Sequence, residues 1–105
     1  MDGVLYKVDN FENFKKMMRL NHSEEFYSKY KFLSEDVDFY NHTKYQIIVK
    51  NNLNEERVLI IPRDNNLAKE MGSIKSIIES MTETKLTKVK SNVTKPELGI
   101  NKNGN

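Results

Sequence analysis

The chain has 105 residues, 37% of them hydrophobic and 30% charged, with a formal net charge of +2 and no cysteine. That length is the size of one domain and can support a core without disulfides. The absence of cysteine excludes disulfides, thiolate metal sites and cysteine nucleophiles. It also fits a reducing, cytoplasmic setting. No apolar run approaches the roughly 18 residues needed to cross a bilayer, and the Met1-Asp2-Gly3 start has neither a basic nor a long apolar region of a signal peptide. Charge is unevenly spread: residues 84–105 carry +4 and residues 1–83 carry −2. Thirteen Asn beside abundant Lys and Ile suggest an AT-rich genome.

Val4-Leu5-Tyr6-Lys7-Val8 alternates as a first strand, with Val4, Tyr6 and Val8 on one face. Asp9 or Asn10 is placed to cap a helix on which Phe11, Phe14 and Met18 share a face, with Lys15, Lys16 and Arg19 turned mostly away. Ser23 followed by Glu24 and Glu25 predicts a second helix, carried by Phe26, Tyr30 and Leu33 at i, i+4 and i+7. Ser34–Thr43 is acidic and then aromatic, and reads as a loop or helical turn. The central feature follows: Tyr45-Gln46-Ile47-Ile48-Val49 and Val58-Leu59-Ile60-Ile61 flank an Asn-rich polar break, the pattern of a β-hairpin. Both hairpin strands are apolar on both faces, so either both faces are covered or one meets a partner.

After Pro62, the spacing of Leu67, Met71, Ile74, Ile78 and Met81 predicts one long amphipathic helix, capped from Asp64, Asn65 or Asn66. Gly72 inside it invites a close-packing explanation. Leu86, Val89 and Val93 are too sparse to bury much, so the remainder reads as a disordered basic tail. The expected fold is α+β in the order β-α-α-β-β-α, a small antiparallel sheet of about three strands packed on helices. It forms one domain over residues 1–84, with a flexible tail over 85–105.

Chemistry-bearing motifs are scarce. There is no phosphate-cradling glycine loop, no nucleophile elbow and no metal-ligand spacing. His22 and His42 sit among polar residues and read as exposed structural positions, so no cofactor or metal is expected. The group Glu35, Asp36, Asp38, Phe39 and Tyr40 combines acidic and aromatic side chains, a pattern that suits a protein-binding surface. The favoured expectation is a non-catalytic regulatory or inhibitor module that binds a protein partner, of a kind found in phages and mobile elements. The alternative is DNA or RNA binding through Lys15, Lys16, Arg19, Lys85, Lys88 and Lys90. The Leu67–Met81 helix also offers a homodimer interface across a twofold axis. The element order also resembles that of compact microbial endoribonuclease toxins, which would gather Lys44, Tyr45, Arg57 and Arg63 around a phosphate. The stronger reading of those four is that they keep exposed sheet edges soluble.

Overall fold

A computed structural model describes residues 2–21, 27–32, 35–50 and 56–94; within these, 27–32, 35–37 and Lys50 are described by backbone alone. The elements are β1 (Gly3–Val8), α1 (Phe11–Asn21), β2 (Tyr27–Phe32), β3 (Glu35–Asn41), β4 (Tyr45–Lys50), β5 (Arg57–Pro62), α2 (Asn65–Ala68), α3 (Met71–Thr82) and β6 (Leu86–Val93). The class is α+β, as the sequence predicts. Among the described residues six strands, not the expected three or so, join one antiparallel sheet in the order β2-β3-β4-β5-β1-β6.

The central hairpin forms as read. Ile47 pairs with Ile60 and Ile48 with Leu59, so branched aliphatic residues pair across the two strands on both faces. β1 then lies beside β5, and Val4, Tyr6 and Val8 turn to the helix-bearing face as their alternation demands. There they meet Phe11, Phe14 and Met18 of α1 and Ile74 and Ile78 of α3 in the main core. Asn10, not Asp9, caps α1: its side-chain oxygen accepts from the Asn13 amide at 3.2 Å. Asp9 instead accepts from the Lys85 amide at 2.8 Å, tying the start of β6 to the end of β1. The opposite face of the sheet carries a second cluster, Leu5, Ile48, Leu59, Ile61 and Val93, with Phe39 packed beside it. The two-faced apolar pattern of the hairpin is thus used on both sides.

Three expectations are corrected. The helix predicted over residues 23–33 is replaced, where described, by β2; the Ser23 cap, Phe26 and Leu33 lie outside the described residues. The acidic–aromatic stretch is β3, paired to β2 on one side and β4 on the other. Aromatic-rich segments fit a pleated surface, and tertiary pairing outweighs a three-turn helical period. The third correction concerns residues 86–93, which form an edge strand and not a tail. Leu86 is buried on the helix side and Val93 on the far side. Two register shifts against β1 and the positive φ of Asn92 (56°) let the strand bend between those two anchors. Residues 95–105 lie outside the described residues.

The long C-terminal helix is divided. Asp64 caps the short α2 by accepting from the Leu67 amide at 2.8 Å, and a turn at Lys69-Glu70 separates it from α3. The apolar stripe is still spent internally: Ile74 and Ile78 are buried, with Leu67, Met71 and Met81 packed on the same core. Of that helix only Ile77 is left strongly exposed among the large apolar residues. At its C-terminus, Asn13 and Asn21 of α1 donate to the carbonyls of Thr82 and Met81, satisfying two end groups the helix cannot pair itself. Gly72 is not a close-packing glycine, since nothing lies within 4 Å of where its Cβ would be. Gly3 is one: an added Cβ would stand 2.6 Å from the Ile60 carbonyl oxygen.

Candidate functional site

The antiparallel order carries the β3–β4 turn, the end of β5, the start of β1 and the end of β6 to one end of the sheet. At that turn, the His42 ring stacks on Tyr45 with centroids 4.4 Å apart and planes 9° from parallel. Tyr45 is buried and His42 half-buried, so His42 is the outer ring of the pair. The Lys44 amide donates to His42 Nδ1 at 3.2 Å, which leaves the proton of the neutral ring on Nε2. Burial, then the positive charges of Lys44 and Arg63, push the His42 pKa below its ordinary value.

Arg63 follows β5 directly. Its Nε donates to the His42 carbonyl at 3.0 Å and its Nη2 to Asn41 Oδ1 at 3.1 Å. Asn41 Oδ1 also accepts from Gln46 Nε2 at 3.0 Å. The Arg63 amide donates to the Lys44 carbonyl, also at 3.0 Å, so both cations ride on one backbone link. Both residues are exposed, and among the described residues neither is paired with a carboxylate. An arginine held by neutral acceptors is oriented without being neutralised.

Beyond Pro62 lies an open cleft of ≈ 500 Å³, lined by Tyr6, Pro62, Gly72, Lys75, Lys88 and Asn92 among others. Tyr6 forms its buried wall; burial and then the nearby Glu79 carboxylate raise the phenol pKa. Glu79 itself accepts from the Leu86 amide at 2.8 Å and stands 3.9 Å from Lys75.

The expected contact residues are dispersed by strand alternation. Asp38 and Tyr40 turn to the helix face and are both fully buried, whereas Phe39 turns to the opposite face and packs on the second cluster. As an accessible acidic–aromatic surface, Asp38 and Tyr40 are therefore corrected: period-two geometry sends neighbours to opposite sides. Glu35 and Asp36 begin β3, and their side chains lie outside the described ones. Asp38 accepts from Arg19 Nη2 at 2.6 Å, which anchors α1 to β3.

The expected nucleic-acid residues divide similarly. Arg19 is engaged with Asp38, and Lys15 pairs with Glu12 at 3.0 Å while lying over the Phe11 ring. Lys16 is exposed on α1, and Lys85, Lys88 and Lys90 are exposed along or just before β6. Arg57 opens β5, at the far end from Arg63, so the set Lys44, Tyr45, Arg57 and Arg63 does not assemble; its other three members do. The sequence reading passed over the partnership of His42 with Arg63, which are 21 positions apart. Only the flanking of the hairpin by Lys44 and Arg63 hinted at it.

Among the described residues no three His, Asp or Glu side chains are grouped to hold a metal ion. No helix among them is long and apolar enough to cross a membrane. No family model, curated protein or solved structure matches the chain.

Proposed function

We propose that this protein is a non-catalytic cytoplasmic binding module for nucleic acid, held chiefly through phosphate contacts. One observation carries the reading: β6 is a sheet edge whose cations Lys85, Lys88 and Lys90 are all exposed, with Lys88 on the cleft beside Lys75. Lys88 pairs with Tyr6 on the helix-bearing face and, across a register shift, Lys90 with Leu5 on the opposite face, so this edge presents positive charge towards both sides of the sheet. Lysines on an edge also discourage strand addition by other chains, and the same residues serve both ends. Lys95 and Lys102 follow in the sequence and add sequence-independent charge.

The test is binding of mixed DNA and RNA across a salt series, with wild type beside K85Q/K88Q/K90Q. We expect micromolar binding at low salt that weakens steeply as salt rises. In the triple variant the log–log slope should fall by about 2, at roughly 0.7 per lost single-strand phosphate contact. Wild-type protein that ignores nucleic acid at low salt removes the reading. Truncation after Thr84 is unsuitable here, because it deletes the buried Leu86 and Val93 with the lysines; truncation after Thr94 isolates the terminal segment.

A protein partner is the second reading, favoured by Leu20 and Ile77, which are 69% and 55% exposed on the two packed helices. Replacing both by Glu should abolish capture of such a partner while leaving nucleic-acid binding in place.

A further inference from the structure

The cleft beyond Pro62 is built more fully than a row of surface lysines requires. We infer that it is a binding site for a nucleoside monophosphate, its phosphate held by Lys75, Lys88 and the Tyr6 hydroxyl and its uncharged body laid against Val4, Pro62 and Ala68. The inference goes beyond the nucleic-acid reading, because it needs no polymer, and shares only Lys88 with it.

The walls follow from the strands and helices that meet there. Asp2, Val4 and Tyr6 alternate onto the helix-bearing side of the sheet, and Lys88 of β6 stands across the ladder from Tyr6. Past Lys88, two register shifts and the positive φ of Asn92 bend β6, and Ser91 and Asn92 border the cleft as well. The facing wall comes from α2 and α3, through Ala68, Gly72 and Lys75. Gly72 borders open space, since nothing lies within 4 Å of where its Cβ would be. At ≈ 500 Å³ the cleft falls within the range of small-ligand sites, about 300–1,000 Å³.

Tyr6 is the feature that points to a ligand. Only 4% of the residue is exposed, it lines the cleft, and among the described residues no hydrogen bond reaches its hydroxyl. A buried hydroxyl is costly to leave unbonded, so one in a cleft wall is set to donate to an occupant. Burial and the Glu79 carboxylate raise its pKa, which keeps the proton in place for that role. Lys88 meets no carboxylate among the described residues. Lys75 stands a loose 3.9 Å from Glu79, whose oxygen already accepts from the Leu86 amide at 2.8 Å. A phosphate monoester carries about 1.5 to 2 negative charges at neutral pH, which suits two ammonium groups and a neutral donor better than a single carboxylate does. The far end of the cleft differs. Asp2 lies about 13 Å along the strand from Tyr6, and with Ser91 and Asn92 it offers acceptors and donors to ribose hydroxyls and a base. A cationic end, an apolar middle and a hydrogen-bonding end match the polarity of a nucleotide.

The experiment is an amide NMR shift titration of the full chain with AMP, GMP, CMP and UMP in turn, and with adenosine and inorganic phosphate as the two halves of a nucleotide. We expect at least one nucleotide to bind with Kd below about 1 mM, and each half to bind about tenfold more weakly or worse. Tyr6→Phe should weaken nucleotide binding about fivefold and Lys75→Gln about tenfold, the ranges of a neutral and a charge-assisted hydrogen bond. Tyr6→Phe should leave Tm unchanged, because the lost hydroxyl had no partner among the described residues. Gly72→Phe should fill the cleft and abolish binding while the fold persists, since its side chain enters open space. None of these three residues lies on β6, so nucleotide binding is read apart from binding of a strand. Should Gly72→Phe unsettle α3, Tyr6→Phe carries the test by itself. No shifts with any of the four nucleotides at about 5 mM overturn this inference and leave the strand reading standing. Nucleotide binding that Tyr6→Phe and Gly72→Phe leave untouched puts the ligand elsewhere and overturns it too. Inorganic phosphate or adenosine bound as tightly as the nucleotide does the same.

Discussion

Two arginines divide the molecule's electrostatics. Arg19 on α1 reaches a carboxylate, Asp38, that is fully buried beneath it, while Arg63 after β5 reaches, among the described residues, a carbonyl and an amide oxygen. The first pair closes a charge inside the fold and fastens a helix to a strand. The second arrangement orients a charge and leaves it open to whatever approaches. The same residue type thus serves structure in one place and is set out for recognition in the other. What differs is whether the acceptor carries a compensating charge.

That contrast can be broken experimentally, and the largest effect belongs to the closed pair. Arg19→Ala removes a partner of a buried carboxylate and should destabilise the fold by about 3 kcal/mol, the lower end for a broken buried pair because Arg19 is itself half exposed. Urea denaturation checks this, and a loss below that of an ordinary surface substitution would contradict the closed-charge reading. Asn41→Ala takes the shared acceptor from Arg63 and Gln46, and should cost about 1 kcal/mol.

His42 gives a pH handle on the open end. Its pKa in the folded protein lies below the unfolded value, so the unfolded chain binds the proton more readily. The stability associated with a neutral His42 is therefore present above the unfolded pKa near 6.5 and is lost as pH falls through it towards the folded value. Thermal melts from pH 7.5 to 5 should show a decline that is smaller in His42→Gln. The smallest effect is expected of Glu12→Gln. It opens the pair with half-buried Lys15 and, because Glu12 itself stands in solvent, should change stability by less than about 0.5 kcal/mol.

The two regions also differ in how far they could be read from the chain. α1 was legible because a cap, a 3.6-residue stripe and a polar face agree within a dozen residues, and Phe14 and Met18 are buried as the stripe requires. The fate of Arg19 was not, because its acceptor lies on β3, 19 positions away. The β2–β3 pair was misread for a related reason. Phe26, Tyr30 and Leu33 match a helical period, but Tyr27–Phe32 takes part in a ladder whose other half is 35–40, and that pairing is a long-range event. Acidic and aromatic neighbours along β3 looked like one surface in one dimension. Once they alternate across a sheet, Asp38 and Phe39 belong to opposite faces.

By itself, the sequence determined the elements whose signals are local. These are the first strand, the first helix, the β4–β5 hairpin with two apolar faces, the helical stripe after Pro62, and the α+β class that follows. Periodicity and capping act over a few residues, so they survive in a linear reading. The tertiary structure decided the sheet of six strands, the recruitment of lysine-rich β6 to its edge, and the burial of Asp38 under Arg19. It also brought His42, Lys44 and Arg63 together at one end. An edge strand needs only two buried anchors, here Leu86 and Val93, too few to show as a pattern. Charge pairing depends on which strands become neighbours, and that is settled only when the apolar faces of the whole chain find one another.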